Sequence, residues 1–231
     1  MPTTLITGAN KGLGFETARQ LVAAGHAVYI AARDPERGKA AADRLGARSV
    51  VLDVTSDESV RAAVAEIDHL DVLINNAGIP GSFVGPDEID AAEMLTVYDT
   101  NVFGAIRVFQ ASLPLLRKSA APVVVNVSSG LGSLAVTSDP EGNRAAVPDW
   151  MAAPVYASSK AALNMLTIQY ARALPEFRIN AVDPGFTATD LNGHRGVQTI
   201  EQGAEIIVRM ARLGPDGPTG QYVSATGPVP W

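Results

Sequence analysis

Residues 3–14 read Thr3-Thr4-Leu5-Ile6-Thr7-Gly8-Ala9-Asn10-Lys11-Gly12-Leu13-Gly14, a short apolar run that passes through three close glycines into a helical pattern. Glycines at such a turn allow a tight bend and a close approach of the backbone to a ligand. The helix that follows directs its first N–H groups at the same place, which suits a pyrophosphate. The spacing G-x-x-x-G-x-G departs from the commoner fingerprint G-x-G-x-x-G, and a glycine-rich turn that binds no ligand is the alternative.

Strand-like and helical patterns alternate through the rest of the chain. Short apolar runs predict seven strands, at residues 5–7, 27–31, 49–52, 71–75, 123–127, 178–183 and 222–223. Helical patterns predict six helices, at about 12–24, 35–45, 57–68, 91–116, 154–174 and 199–213. This alternation predicts an α/β fold, a Rossmann-type doubly wound parallel sheet of about seven strands with helices on both faces.

The composition suits a single domain over residues 1–231, since 47% of the chain is hydrophobic and 18% is charged. A net charge of −6 argues against a nucleic-acid partner. The apolar runs are shorter than the roughly 18 residues that a membrane span needs. With no cysteine and three histidines the chain has few ligands for a transition metal, so we expect no metal site. The first strand begins without a signal-like segment, and we expect a cytoplasmic protein.

The residues after the second predicted strand bear on the choice of nucleotide. In dinucleotide-binding folds an acid at this place binds the ribose 2′-OH of NAD, whereas an arginine accommodates the 2′-phosphate of NADP. Arg33 lies at the strand end, Arg37 follows one helical turn later, and Lys11 lies in the glycine-rich loop. Three cations converging on one corner of an acidic protein favour a phosphate, so we predict NADP(H). Asp34 leaves a second interpretation, because it can either cap the next helix or turn towards the ribose.

Two further clusters end predicted strands. Asp53-Val54 closes the third strand, where the carboxylate can accept from an adenine amine or simply lead into a helix. Asn75-Asn76-Ala77-Gly78 closes the fourth strand, and we assign it both cofactor contact and sheet stability. Both clusters are therefore candidate parts of a nucleotide site.

The pentapeptide Tyr156-Ala157-Ser158-Ser159-Lys160 places a phenol and an ammonium four residues apart, on one face of a predicted helix. A fixed positive charge beside a phenol favours the phenolate and lowers the pKa of the tyrosine. Such a tyrosine is suited to give a proton to a carbonyl oxygen near neutral pH. The spacing also occurs often by chance, so its meaning depends on the other motifs.

Taken together, these motifs resemble the short-chain dehydrogenase/reductase family. The matching pieces follow the family's order over about residues 3–190: Thr7-Gly8-x-x-x-Gly12-x-Gly14, Asn75-Asn76-Ala77-Gly78, Asn101, Asn126-Val127-Ser128-Ser129, Tyr156-x-x-x-Lys160 and Asp183-Pro184-Gly185. Within the family, the stretches around Asn10-Lys11 and Arg33-Asp34-Pro35-Glu36-Arg37 are similar to the NADPH-dependent carbonyl reductase branch. In that branch the basic residues corresponding to Arg33 and Arg37 meet the 2′-phosphate.

The resemblance implies a catalytic role for four residues. Tyr156 would protonate the substrate carbonyl while hydride arrives from the nicotinamide, and Ser129 would bind the same oxygen. Lys160 would lower the pKa of Tyr156 and bind the nicotinamide ribose. Asn101 would hold a water on a proton relay behind Lys160, whereas without the resemblance it reads as an ordinary helix-surface asparagine.

The resemblance also completes a set of cofactor contacts. It implies that Thr187 lies beside the nicotinamide carboxamide and Thr189 near the pyrophosphate, while Pro184 and Gly185 shape the turn between them and the sheet. The full set of candidate cofactor-binding residues is Gly8, Asn10, Lys11, Gly12, Leu13, Gly14, Arg33, Arg37, Asp53, Val54, Asn75, Ala77, Gly78, Tyr156, Lys160, Pro184, Gly185, Thr187 and Thr189.

Two stretches with little pattern are expected to cover the substrate. Ser129 and Tyr156 are 27 positions apart (156 − 129), more than in compact family members, so we interpret residues 131–153 as an insertion. Residues 186–198 read as a mobile flap in which His194 is exposed. The candidates for an apolar substrate wall are Trp150, Met151 and Phe186, although each also suits an ordinary core position. Some carbonyl reductases with such an insertion are monomers, and we expect a monomer or a homodimer.

These observations predict an NADPH-dependent reductase whose substrate is a small-molecule aldehyde or ketone. An NAD(P)-dependent alcohol dehydrogenase that works oxidatively is the first alternative. Arg33 and Lys11 argue against it, because cellular NADPH usually supports reduction. A noncatalytic NADP-binding sensor on the same fold is the second alternative, but it has no need of an intact proton donor.

Overall fold

A computed structural model gives the structure of residues 1–231, except for the side chain of Pro86. The strands are β1 (Thr3–Thr7), β2 (Ala27–Ala32), β3 (Arg48–Val51), β4 (Val72–Asn75), β5 (Val123–Val127), β6 (Arg178–Asp183), β7 (Tyr222–Ser224) and β8 (Gly227–Pro228). They form one sheet in the order β3-β2-β1-β4-β5-β6-β7-β8. Neighbouring strands pair in parallel from β3 through β7, and β8 pairs antiparallel with β7.

Helices connect the parallel strands. The α-helices are α1 (Gly12–Ala23), α2 (Pro35–Leu45), α3 (Asp57–Ala65), α4 (Ala91–Tyr98), α5 (Gly104–Leu116), α6 (Leu134–Ser138), α7 (Pro154–Ala173) and α8 (Ile200–Ala211). Short 3₁₀ turns lie at Pro86–Glu88, Gly130–Gly132 and Asp190–Asn192. Along the described part of the chain, every helix falls short of the length or the apolar character that a membrane span requires.

The predicted fold class is confirmed, with one additional strand. Seven strands were expected and eight are present, because the chain turns after β7 and residues Gly227–Pro228 pair back onto it. A strand of two residues carries no readable alternation of apolar and polar side chains, so the sequence pattern could not indicate it. The helix predicted at 57–68 ends earlier than expected, at Ala65. The Ser56 side chain caps the start of this helix by accepting from Ser59 N–H.

Each face of the sheet has its own apolar core. Ile6 packs towards the helices α1, α2 and α8, whereas its neighbour Leu5 packs towards α3, α5 and α7. The same division follows from the period of two along every strand, since successive side chains point to opposite faces. Because both faces are covered, central strands such as β5 are buried along their whole length.

The order of the strands changes direction between β1 and β4. From β1 the chain adds β2 and β3 outwards on one side, and then returns to place β4 against the other side of β1. Ligands of doubly wound sheets bind in the crevice at the carboxyl ends of the strands where the order reverses. The glycine-rich loop after β1 and the Asn75-Asn76-Ala77-Gly78 stretch after β4 therefore lie on either side of this crevice.

A π-helical turn at Asp99–Phe103 interrupts the helical stretch predicted as 91–116 and divides it into α4 and α5. Such turns widen a helix by one residue and often occur at functional sites. Gly104 follows this turn at a close approach to the end of β3, since an added Cβ would lie 2.8 Å from Val54 Cβ and Cγ2. The residue that follows the π turn therefore packs so closely against Val54 that it has no room for a Cβ.

Replacement of Gly104 tests this contact. Gly104→Ala is expected to lower the free energy of unfolding by about 1–3 kcal/mol, because the new methyl group overpacks against Val54. Gly214→Ala is the matched control, because a Cβ added at Gly214 would have no described atom within 4 Å apart from those of its two chain neighbours. Denaturant unfolding of the three proteins measures the difference, and equal midpoints for the two variants would show that the contact is not tight.

Candidate active site

The glycine-rich loop between β1 and α1 has the backbone geometry of a close ligand approach. Gly8 and Gly12 adopt φ values of 63° and 58°, which favour glycine. A Cβ added at Gly14 would lie 2.5 Å from Asn76 Nδ2 and 2.8 Å from the Gly8 carbonyl oxygen. These positions therefore leave the backbone bare at the N-terminus of α1, where an anionic group is favoured.

Asn76 connects this loop to the end of β4. Its Nδ2 donates to the carbonyl oxygens of Thr7, at 2.9 Å, and Gly8, at 3.2 Å. Thr7 Oγ1 in turn accepts from the N–H groups of Asn76 and Ala77, both at 3.0 Å. The sequence interpretation assigned the Asn75-Asn76-Ala77-Gly78 cluster both cofactor contact and sheet stability, and these bonds of Asn76 hold the ends of β1 and β4 together.

Asn75 has a different use within the sheet. Its side chain is buried, and Nδ2 donates to Asn126 Oδ1 on β5 at 2.9 Å. Asn126 Nδ2 donates in turn to Thr167 Oγ1 on α7 at 2.8 Å. These bonds give Asn75 the role in sheet stability that was expected, while its contact with a cofactor stays a prediction.

Arg33 and Arg37 lie on the exposed surface after β2. Asp34 between them caps α2, since it accepts from Arg37 N–H at 3.0 Å and pairs with Arg37 Nε at 3.3 Å. Of its two interpretations, the structure therefore shows the helix cap. Asp53 Oδ1 accepts from both the hydroxyl and the N–H of Thr55, and these bonds, with the nearby Arg33 charge, hold the pKa of Asp53 below its usual value.

Lys11 connects the glycine-rich loop to the segment after β6. Its ammonium pairs with Asp190 Oδ2 at 2.6 Å, and its place beside Arg33 and Arg37 at a phosphate stays a prediction. Asp190 also pairs with His194 Nε2 at 2.9 Å, and the His194 side chain is exposed as expected. A spacing in sequence could not reveal this pairing, because residues 11 and 190 meet only when the sheet is assembled.

Lys160, Asn101 and Gly78 meet at the carboxyl edge of the sheet. Lys160 Nζ is buried and donates to the Val127 carbonyl oxygen at 2.8 Å. A Cβ added at Gly78 would lie 3.6 Å from this ammonium and 3.3 Å from Asn101 Oδ1. Asn101, in the π turn, accepts from Ile79 N–H at 2.8 Å and donates to Ser159 Oγ at 3.0 Å. It is thus a buried residue and not a helix-surface one.

Tyr156 lies one helical turn before Lys160, whose Nζ is 5.5 Å from the centroid of the phenol ring. Burial and the nearby Asp183 carboxylate raise the pKa of Tyr156, and a hydrogen bond to Ser129 opposes them. Burial also lowers the pKa of Lys160, to about 8. The pKa of Tyr156 is therefore raised on balance, because removal from water disfavours the phenolate, and a lowering of this pKa by Lys160 stays a prediction.

Ser129 and Ser128 point to different surroundings at the end of β5. Ser129 Oγ interacts with Tyr156 and accepts from Leu131 N–H at 3.3 Å. Ser128 Oγ donates to Asn164 Oδ1 at 2.6 Å within the core. The structure therefore brings Ser129, and not Ser128, to the hydroxyl of Tyr156.

The turn after β6 is shaped around Thr187. Gly185 has a φ of 75°, and the buried Thr187 Oγ1 lies 3.2 Å from the carbonyl oxygens of both Pro184 and Gly185. Gln198 Nε2 donates to the same hydroxyl at 2.8 Å. Residues 186–198 then extend towards the glycine-rich loop. A Cβ added at Gly12 of that loop would lie 4.0 Å from Thr189 Cγ2. The side chains of Leu13 and Thr187 both pack against Gly203 of α8.

The three candidates for a substrate wall lie in different environments. Trp150 packs against a core cluster that includes Val147 and Tyr222, so part of its surface has a structural use. Met151 is 39% exposed, and Phe186 is half-buried at the start of the segment after β6. Val147 contacts the backbone beside Ser129, since a Cβ added at Gly130 would lie 2.5 Å from its Cγ2. Among the described side chains there is no group of three or more acids and histidines placed to hold a metal ion.

The fold and the placement of these side chains define a class of protein. A doubly wound sheet with a glycine-rich loop at the reversal of strand order is a dinucleotide-binding framework. Ser129 follows the carboxyl end of β5, and Tyr156 and Lys160 lie in the first two turns of α7. The chain belongs to the short chain dehydrogenase family, whose profile matches residues 2–141 and 142–199.

Known relatives agree with this membership over nearly the whole chain. Short-chain dehydrogenase anuI of Penicillium roqueforti is 39% identical over 228 residues, covering 92% of this chain and 89% of its own. Carbonyl reductase [NADPH] 1 of Mus musculus is 32% identical over 276 aligned positions, covering 100% and 98%. The structure of NADPH-bound carbonyl reductase from chicken fatty liver superposes with a TM-score of 0.85 at 29% identity, covering 100% of this chain and 99% of that one.

The burial of Lys160 leads to a prediction about stability. A buried ammonium with a lowered pKa destabilises the folded state, so Lys160→Met is expected to raise the free energy of unfolding at pH 7 by about 1–3 kcal/mol. The unfolded chain binds more protons between about pH 8 and pH 10.5, and the stability of the unaltered protein therefore rises with pH in that range. The advantage of Lys160→Met should shrink accordingly.

Denaturant unfolding at pH 7 and at pH 9.5 measures both effects. Lys118→Met serves as the control, because Lys118 is exposed and its replacement should change the unfolding free energy by less than about 0.5 kcal/mol. A Lys160→Met protein that is less stable at pH 7 would contradict the stated cost of burial.

Proposed function

We propose that this protein is an NADPH-dependent reductase that converts a small aldehyde or ketone into the corresponding alcohol, with Tyr156 as the proton donor. The observation that carries the proposal is the meeting of Ser129, Tyr156 and Lys160 at one end of the sheet. Ser129 lies near enough to the Tyr156 hydroxyl to lower its pKa, and the Lys160 ammonium lies 5.5 Å from the tyrosine ring. A hydroxyl that binds the substrate oxygen and another that protonates it are the two groups that carbonyl reduction needs from a protein.

The backbone of the crevice fits a dinucleotide. Gly8 and Gly12 have positive φ values, and a Cβ added at Gly14 would lie 2.5 Å from Asn76 Nδ2, so these positions of the loop need glycine. A bound NADPH supplies the hydride. In the proposed site the pyrophosphate is bound by Gly8, Asn10, Gly12, Leu13 and Thr189, and the nicotinamide half lies against Pro184, Gly185 and Thr187.

The side chains of this chain perform the proton chemistry in the proposal. Ser129 orients the carbonyl oxygen, and Tyr156 gives it a proton. Lys160, kept near Val127 and Gly78, binds the ribose and stabilises the phenolate that Tyr156 leaves. Asn101, fixed by the π turn and by Ile79, completes the path along which the proton is replaced.

Reduction is favoured over oxidation by the proposed cofactor. Arg33 is exposed after β2, where an arginine suits the 2′-phosphate of NADPH, and cellular NADPH usually supports reduction. A noncatalytic sensor is also a poorer account, because it has no use for the assembled Ser129, Tyr156, Lys160 and Asn101.

The remaining features of the proposal concern the substrate and its surroundings. Residues 131–153 and 186–198 cover the substrate end of a single domain, with Trp150, Met151 and Phe186 as its apolar wall. The protein works in the cytoplasm as a monomer or homodimer, with a small carbonyl compound as its partner. The relatives whose names contain carbonyl reductase and NADPH support the substrate class and the cofactor.

The cofactor assignment predicts a selective effect of Arg33. Arg33→Ala is expected to raise the Kd for NADPH by about 10–100-fold, because a charge-assisted contact with the 2′-phosphate is lost, and to leave the Kd for NADH within about threefold. Arg117→Ala, an exposed arginine after α5, is the control. Titration of each variant with both nucleotides gives the result, and equal affinities of the unaltered protein for NADPH and NADH would exclude the assignment.

The assignment of Tyr156 as the proton donor predicts that its replacement affects turnover but not the binding of NADPH. Tyr156→Phe is expected to lower kcat by about 10²–10⁴-fold, because the general acid is removed, while the Kd for NADPH stays within about threefold. Oxidation of NADPH is followed with a panel of aldehydes, quinones, diketones and cyclic ketones. Tyr170→Phe, which alters a phenol packed on Phe109 instead, should retain activity. Full turnover by Tyr156→Phe with any of these substrates would show that another group donates the proton.

A further inference from the structure

The guanidinium of Arg107, on α5, bridges two segments that are far apart in sequence. Its Nη1 pairs with Asp99 Oδ1 at 2.8 Å, and its Nε pairs with Asp57 Oδ1 at 3.1 Å. Nη1 also donates to the carbonyl oxygens of Val54, at 3.3 Å, and Asp99, at 3.4 Å. Asp57 begins α3, whereas Asp99 begins the π turn. Arg107 therefore connects the segment after β3 with the π turn.

The segment after β3, residues 52–57, contains Asp53, which the proposed function assigns to the adenine half of the cofactor. Two hydrogen bonds from Thr55 lower the pKa of this carboxylate, and burial opposes them. The positive charges of Arg33 and Arg107 add to the lowering. Arg107 thus acts on the proposed adenine subsite by its charge as well as by its bonds to the neighbouring residues.

The π turn carries Asn101, two residues after Asp99. Asn101 is buried, and its Oδ1 accepts from Ile79 N–H at 2.8 Å. Its Nδ2 donates to the Ile79 carbonyl oxygen and to Ser159 Oγ, both at 3.0 Å. A π turn departs from the regular hydrogen-bond pattern of the flanking α-helices. Its position therefore depends on these side-chain bonds and on those that Arg107 makes to its first residue.

The geometry of the bridge suits an arginine in particular. A single exposed ion pair contributes little to stability, but the Arg107 side chain is only 26% exposed and bonds two carboxylates and two carbonyl oxygens. The planar fork of a guanidinium holds several acceptors at fixed relative positions. A lysine would keep the charge but not this fixed arrangement.

We propose that Arg107 is a positioning residue that holds the π turn, and with it Asn101, against the segment that binds the adenine half of the cofactor. The inference rests on the proposed function, which assigns Asp53 to the adenine and Asn101 to the proton path. Binding of the adenine half steadies residues 52–57, and the bonds of Arg107 transmit this order to Asn101.

Hydrogen exchange measures the order of the π turn without any substrate. The probe is adenosine 2′,5′-bisphosphate, which is the adenosine half of NADP with its 2′-phosphate. At a saturating concentration it should slow the amide exchange of residues 99–104 in the unaltered protein by about fivefold or more. Arg107→Met should lose this slowing, because the bridge is absent, and Arg107→Lys should recover only part of it.

Two further variants separate the bridge from general effects on the fold. Asp57→Asn removes a partner of Arg107 that lies outside the π turn, so a smaller slowing in the π turn of this variant requires transmission through the bridge. Arg117→Met alters an exposed arginine after α5 and should keep the full slowing. Each value is the ratio of exchange rates with and without the probe, so a uniform loss of stability cancels.

Turnover gives a second measurement. At saturating NADPH, Arg107→Met should lower kcat by about 2–30-fold, because Asn101 is less well placed, and Arg117→Met should not. An undiminished kcat in Arg107→Met, in a protein that reduces a carbonyl compound, would contradict the effect on Asn101.

The outcomes distinguish this inference from the proposed function. Equal slowing in the unaltered protein and in the Arg107→Met and Asp57→Asn variants overturns the role of Arg107, even if carbonyl compounds are reduced. Absence of slowing in an unaltered protein that binds the probe does the same. Slowing that depends on Arg107, in a protein that reduces none of the carbonyl panel, supports the role of Arg107 in ordering the turn and overturns the reduction. An unaltered protein that does not bind the probe overturns both.

Discussion

The carboxyl ends of parallel strands all lie at one edge of a sheet, and the candidate active site depends on this constraint. The chain leaves β1 at Gly8, β4 at Asn76, β5 at Ser128 and β6 at Pro184, so four loops distant in sequence meet along one line. Hydrogen bonds then connect neighbouring loops, as Asn76 does with the Gly8 carbonyl oxygen. The site is therefore built on strand ends whose positions are set by the paired sheet, not by the loops themselves.

Removal from water is the second influence on the chemistry. Lys160, Tyr156 and Asp183 are enclosed together, and burial shifts the pKa of each towards its neutral form. The pKa of Tyr156 therefore depends on its burial and not on Lys160 alone, whose ammonium lies 5.5 Å from the tyrosine ring. Mutual placement within a low-dielectric region makes these interactions much stronger than they would be at the surface.

Several contacts between distant segments could not be predicted from the sequence. The pairing of Lys11 with Asp190 joins the first loop to the segment after β6, and no local pattern indicates it. Asp183 was interpreted as part of a Pro-Gly turn, and its carboxylate also lies against the Gly130 backbone beside Ser129. Asn76 and Asn75 are adjacent in sequence, but the alternation along a strand sends one to the glycine-rich loop and the other into the sheet.

The sequence alone determined the α/β class, the positions of most helices and strands, family membership and the identity of the serine, tyrosine and lysine. These follow from local signals, since apolar period, turn residues and fixed spacings are properties of short stretches. Only the tertiary structure decided that Lys11 pairs with Asp190, that Asp34 caps α2 and that burial with Asp183 raises the pKa of Tyr156. Charge and hydration at a site depend on which distant groups are brought together, and folding alone sets those distances.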